Sequence, residues 1–77
     1  MITILFDTDL KGLRPALLNI QKEYREIIHT SFYAPMTGTI NLEIILVRGD
    51  RARIKSLEQQ LIAKRGIQSA QLTLIPS

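Results

Sequence analysis

The chain has 77 residues, with ten Lys and Arg against seven Asp and Glu for a formal charge of +3, and 45% of its residues are hydrophobic. A chain of this length makes one small domain that buries about 60 to 65% of its unfolded surface. A core with only two Phe, two Tyr and no Trp is aliphatic, so burying more surface between subunits is a ready source of stability. The absence of Cys excludes a disulfide framework, a thiolate metal ligand and a cysteine nucleophile. No apolar run approaches the roughly 18 residues of a membrane span, and the N-terminus lacks a basic lead and a signal core, so the expectation is a soluble cytoplasmic protein with no membrane partner.

In chain order, Ile2, Ile4 and Phe6 alternate with Thr3, Leu5 and Asp7, the period of a half-buried strand. Asp9 then offers an N-cap for a helix over about residues 12 to 25. Its apolar positions Leu13, Leu17, Ile20 and Tyr24 are spaced by three and four, and Pro15 is tolerated in the first turn. From Ile27 to Pro35 a second strand sets Ile28, Thr30, Phe32 and Ala34 on one face and His29, Ser31, Tyr33 and Pro35 on the other. Pro35 cannot donate to a ladder, which marks an edge or an end.

Ile40 to Val47 is a third strand, with Ile40, Leu42, Ile44 and Leu46 on one side and Asn41, Glu43, Ile45 and Val47 on the other. A three-residue loop, Met36-Thr37-Gly38, joins the two strands and pairs Pro35 with Thr39, so that Tyr33 opposes Asn41 and Ser31 opposes Glu43. Asp50 caps a second helix with apolar positions Ile54, Leu57, Leu61 and Ile62, and Lys64-Arg65-Gly66 ends it with Gly66 at the C′ position. A last strand runs from Ile67 to Ile75, with Ala70, Leu72 and Leu74 toward the core and Pro76 as the stop.

Strand, helix, strand, strand, helix, strand is the split βαβ order. It predicts an α+β, ferredoxin-like βαββαβ plait with a four-stranded antiparallel sheet under two helices, one domain over residues 1–77. The face turned from the helices is expected to carry Leu5, Ile45 and Val47 beside the polar hairpin residues His29, Ser31, Tyr33, Asn41 and Glu43. The aliphatic group is a candidate contact with another subunit, and the polar group a candidate ligand or interface face. The outer edge strand offers a second route to association. Arg48, Arg51, Arg53 and Lys55 cluster around the second helix start, either as a solvated face or as a contact for an acidic ligand or nucleic acid.

Gln21 and Tyr24 late in the first helix, Leu42-Glu43-Ile44, Arg48-Gly49-Asp50 and Leu61-Ile62-Ala63-Lys64-Arg65-Gly66 together resemble the C-terminal sensor domain of the nickel-responsive repressor family, without gaps from Ile2 to about Leu74. The resemblance implies an ACT-like fold, a tetrameric core and a square-planar nickel site between subunits, in proteins where a ribbon-helix-helix DNA-binding domain normally comes first. That family binds nickel through a His after the helix Gln, a His-x-His strand motif and a Cys before the Leu-Glu pair. Carried over, these fall on Lys22, Tyr33, Pro35 and Asn41.

Pro35 has no donor atom, Lys22 is an ammonium at neutral pH, and Tyr33 and Asn41 are hard oxygen groups, so the usual nickel set is absent and no cofactor is expected. Met1 stands at the start of the first strand, so no DNA-binding domain and no direct nucleic-acid binding are expected of this chain. With one His, no Cys and no phosphate loop or nucleophile elbow, an enzyme is not expected.

Three functions stay open at this point. The first is an oligomerising regulatory domain, a dimer or tetramer, that has lost or changed its effector. The second is a small-ligand or non-nickel metal binder, using His29 and Glu43 on the hairpin face at a subunit interface. The third is a structural partner that co-assembles with a DNA-binding relative.

Overall fold

The computed structural model describes residues 1–73 and runs β1 (Ile2–Asp7), α1 (Leu13–Glu23), β2 (Ile28–Thr37), β3 (Ile40–Val47), α2 (Arg51–Ile62) and β4 (Ile67–Leu72). The expected placements of Leu74, Ile75 and Pro76 lie outside the described residues. The strands form one antiparallel sheet in the order β2-β3-β1-β4. On β1, Ile2, Ile4 and Phe6 have no accessible surface, and Leu13, Leu17, Ile20 and Tyr24 of the first helical segment and Ile54, Leu57 and Leu61 of α2 cover them. Strand period and helix period thus meet in one aliphatic core, as a two-layer plait requires.

The helix ends differ from expectation. Asp9 does not cap α1. Its own N–H donates to Asp7 Oδ1 at 2.9 Å, closing a tight turn, and the helix begins three residues later behind Gly12 at φ +84°. Asp50 does cap α2, its Oδ1 accepting from the Ala52 N–H at 3.2 Å. That helix closes at Ile62 with Ala63 as its cap, so Lys64 and Arg65 fall beyond its last turn and Gly66, at φ +98°, opens β4 instead of standing at C′. Ile62 points outward and is 54% exposed, because its neighbour Leu61 already fills the core direction.

The hairpin also departs from the expected register. Thr37 pairs with Ile40 across a two-residue loop, with Gly38 at φ +57° supplying the left-handed turn. The register shifts between Pro35 and Thr37, beside the one residue that has no N–H for the ladder. Consequently Pro35 faces Asn41, Tyr33 faces Glu43 and Ser31 faces Ile45, two residues from the expected pairing.

A shift of two preserves which way each side chain points, but the two faces of β3 are the reverse of the expected ones. Asn41, Glu43 and Ile45 lie under the helices, paired with Phe6, Ile4 and Ile2, and all three are buried. Ile45 has no accessible surface and Val47 packs against the same core, so neither belongs to the outer face with Leu5. The outer face carries Leu5 opposite Leu42, Thr3 opposite Ile44, and Phe32 on the far side of Ile44, with Leu46 beyond. Both sides of β3 are rich in aliphatic residues, so alternation alone did not distinguish them.

Candidate functional site

The inner face of the hairpin forms a polar corner against α1. Tyr33 and Glu43 are direct cross-strand neighbours, Pro35 and Asn41 are the next pair toward the loop, and Phe6 adjoins Asn41 on β1. From α1, Gln21 Nε2 donates to Glu43 Oε2 at 3.1 Å, while the Arg14 guanidinium lies 4.2 Å above the Tyr33 ring centre. Seven residues separate Arg14 from Gln21, two helical turns, so both project from the same side of the helix. The Phe6 ring, 6.3 Å from that of Tyr33, closes the corner from beneath.

Burial is graded across it. Asn41 and Glu43 are 5% and 9% exposed, whereas Tyr33 is 48% exposed and turns its ring between Arg14 and solvent. The carboxylate of Glu43 is held by a neutral amide and has no second carboxylate beside it in the corner, so the group is built for hydrogen bonding and not for paired acid-base chemistry. Among the described residues no group of three or more His, Cys, Asp and Glu comes together to hold a metal ion.

The polar face expected from sequence therefore divides. Tyr33, Asn41 and Glu43 come together, and Ser31 sits one inward pair further along, exposed and opposite Ile45. His29 is at the far end of β2, where the register shifts between Ile28 and Thr30, and it lines a shallow cleft of about 190 Å³ with Glu26, Ile27, Ile28 and Arg48. It is remote from Glu43, so the His29–Glu43 cation pair considered from sequence does not form within one chain. Lys22 is exposed in the last turn of α1. Arg14 and Phe6 were not expected here, because they arrive from other elements. The Arg14–Gln21 spacing was the one sequence signal for the former.

A second polar group locks the end of α1 to α2. The Tyr24 hydroxyl lies 2.6 Å from Ser56 Oγ and accepts from Gln60 Nε2 at 2.9 Å, and the Arg53 guanidinium stacks 4.1 Å over the Tyr24 ring. Arg53 also donates through Nε to Glu26 Oε1 at 2.8 Å and through an Nη to the Glu23 carbonyl at 2.9 Å. Its hydrogen bond holds the Glu26 carboxyl below the ordinary glutamate range. Arg53 thereby leaves the basic cluster expected at the helix start and becomes a structural tie.

The whole defines an ACT-like, ferredoxin-like plait with a polar corner between its hairpin and its first helix. Its sequence matches the model of the NikR C terminal nickel binding domain over residues 1–75, and the chain belongs to that family. A relative from Methanothermobacter thermautotrophicus named "Putative nickel-responsive regulator 2" is 33% identical over 73 residues, which is 95% of this chain and 52% of that protein. Another, "Putative nickel-responsive regulator 3" of Methanosarcina mazei, is 32% identical over 75 residues, covering 97% of this chain and 54% of the relative. The chain spans about half the length of the curated relatives it matches. Among solved structures, the C-terminal domain of the MgtC protein from Mycobacterium tuberculosis superimposes with a TM-score of 0.61 at 13% identity over 91% of this chain and 79% of that one, a likeness of fold alone. Among the described residues no helix is long and apolar enough to cross a membrane.

Proposed function

We propose that this chain is a regulatory domain of the nickel-responsive type whose metal corner has been converted into a set of side-chain contacts, and which works by assembling subunits in the cytoplasm. The observation that carries the reading is the corner itself. Tyr33, Pro35 and Asn41, at the positions where the family resemblance implies nickel ligands, are brought together on one face, and none is an imidazole or a thiolate. Square-planar Ni(II) takes nitrogen and sulfur donors, and an amide oxygen, a neutral phenol and a proline ring do not replace them. The bond from Gln21 to Glu43, the Arg14–Tyr33 stack and the Phe6–Tyr33 contact occupy the corner from within the chain.

The relatives are named as regulators and not as enzymes, and the site offers no nucleophile or acid-base pair, so regulation by assembly is the role we assign. Its partners are other copies of this chain or, because the matched relatives are about twice as long, a longer relative that supplies DNA contacts. Asn41 favours a second reading. The residue is 5% exposed and makes no side-chain hydrogen bond among the described residues, while no buried polar atom there is orphaned. Its carboxamide therefore still reaches solvent, where a small polar ligand taken up between subunits would meet it.

Titration of the pure protein with Ni(II), followed by calorimetry and by absorbance, tests the first reading. The expected result is no saturable binding by the natural sequence. Installing Lys22→His, Tyr33→His, Pro35→His and Asn41→Cys together is expected to create a nickel-dependent charge-transfer band and a rise in melting temperature. Tight nickel binding by the unsubstituted chain that disappears in Tyr33→Phe or Asn41→Ala would overturn the proposal.

A further inference from the structure

The strongest unexplained feature lies at the start of the first helix, beside the turn that leads into β4. A cleft of about 260 Å³ opens between the turn before α1 and the turn after α2, lined by Leu10, Leu13 and Ala16 on its apolar side and by Lys11, Lys64 and Arg65 on its charged side. The three cations come from two segments more than fifty residues apart in sequence. None forms an ion pair among the described residues, where the salt bridges are Arg53 with Glu26 and Lys55 with Glu58.

The backbone around this cleft is held rather than loose. Leu13 N–H donates to the Leu10 carbonyl at 3.2 Å, Ile67 N–H to the Lys64 carbonyl at 3.2 Å, and Asp7 N–H to the Gly66 carbonyl at 3.2 Å, which ties the two turns together. Gly66 permits the close approach. A Cβ at that position would stand 2.5 Å from Leu10 Cδ2 and 2.9 Å from Leu13 Cδ2, and its φ of +98° is itself a glycine conformation. The sequence thus brings two basic turns together over an aliphatic floor. Asp9, two residues before Lys11, is the neighbouring acid in sequence, and its N–H is engaged by Asp7 without any ion pair to the three cations.

Three cations lining one cleft give it a positive potential that an anion would neutralise. Arg presents a planar fork and Lys a point charge, a combination suited to phosphate oxygens, while Leu10, Leu13 and Ala16 offer room for a carbon skeleton but no aromatic ring for stacking. We propose that this cleft binds a small organic phosphate, with Lys11, Lys64 and Arg65 on the phosphate and the aliphatic wall against the rest of the molecule. The cleft shares no lining residue with the hairpin corner, so the proposal stands whether or not the corner binds anything.

Two-dimensional amide NMR of the whole chain, titrated with glycerol 3-phosphate, pyrophosphate and sodium chloride at matched ionic strength, tests the proposal. Saturable shifts confined to residues 10–16 and 64–67 are expected with glycerol 3-phosphate and pyrophosphate, and none with chloride. Lys64→Gln with Arg65→Gln is expected to weaken binding roughly tenfold or more, the loss of charge-assisted hydrogen bonds, while Lys55→Gln on α2 leaves it unchanged. Both variants are surface changes, and an unaltered spectrum outside the cleft verifies their fold. Shifts spread over all basic residues, equal weakening by Lys55→Gln, or a response to duplex DNA with none to the small phosphates would overturn the proposal.

Discussion

On the inner face of the sheet, Ile2, Ile4, Phe6 and Ile45 have no accessible surface, because two helices lie across them. On the outer face of the same strands, Leu5, Leu42, Ile44 and Leu46 are half-buried by their neighbours alone, and Phe32 on the edge strand is 58% exposed. The side chains differ little between the faces. What differs is that the inner one is covered by the two helices and also holds the polar corner, whereas the outer one has an aliphatic centre between Thr3, Thr30, Ser69 and Gln71 and no helix across it among the described residues. The half-buried aliphatic centre of the outer face, with the exposed Phe32 beside it, is the physical basis of the proposed assembling role.

The largest effect should come from breaking the inner face. Leu57 is fully buried at the centre of α2, and Leu57→Ala should cost about 2–5 kcal/mol by lost transfer energy and the cavity left behind. For a domain with a typical total of roughly 5–15 kcal/mol, that is enough to move the urea midpoint far down or to leave the chain unfolded. A midpoint within error of the parent would mean that the core packs elsewhere.

The same kind of change on the outer face should behave differently. Ile44 sits at the middle of that face, between Thr3 and Phe32. In an isolated subunit Ile44→Asp costs roughly 1–2 kcal/mol, from lost half-burial and poor strand propensity, but in a face-to-face assembly it also buries an unpaired carboxylate and should separate the subunits. Light scattering should report a drop in mass with the circular dichroism spectrum retained. An unchanged mass would assign assembly to another surface, such as the edge of β2.

How much of this could be read from the chain depends on which residues carried a one-sided signal. The order of elements was legible, because Ile2, Ile4 and Phe6 keep period two and Leu13, Leu17, Ile20 and Tyr24 keep helical spacing, with Asp50 and Gly38 as turn markers. The facing of β3 was not, since Ile40, Leu42, Ile44 and Leu46 are the more apolar set yet face outward, and it is the pairing of Asn41, Glu43 and Ile45 with Phe6, Ile4 and Ile2, with the bond from Gln21 to Glu43, that turns the other set inward. The hairpin register failed at Pro35, where the ladder lacks a donor and takes up an extra residue. Asp9 and Gly66 bear the right chemistry for helix ends, yet neighbouring turns claim both. At the corner, Tyr33, Pro35 and Asn41 were found through family resemblance, while Arg14 and Phe6 needed the tertiary fold. Separating His29 from that group required the register of β2.

The seam between α1 and α2 lies at the rim, belonging to neither face, and it gives the smallest effect. Arg53 and Glu26 are both largely solvent-exposed, so Arg53→Gln should lower the melting temperature slightly, and less so at high salt. The pH dependence separates its parts. Because Arg53 holds the folded-state pKa of Glu26 below its unfolded value, the ion pair's contribution is present above the ordinary glutamate range and is lost as the pH falls through it. The gap in melting temperature between parent and Arg53→Gln should therefore narrow on acidification. A residual gap should persist at low pH, since the bond to the Glu23 carbonyl and the stack on Tyr24 do not titrate there. A gap that stays constant through the acid range would mean that Arg53 acts through Tyr24 and the helix end alone, and that the rim, like the outer face, gains little from charge.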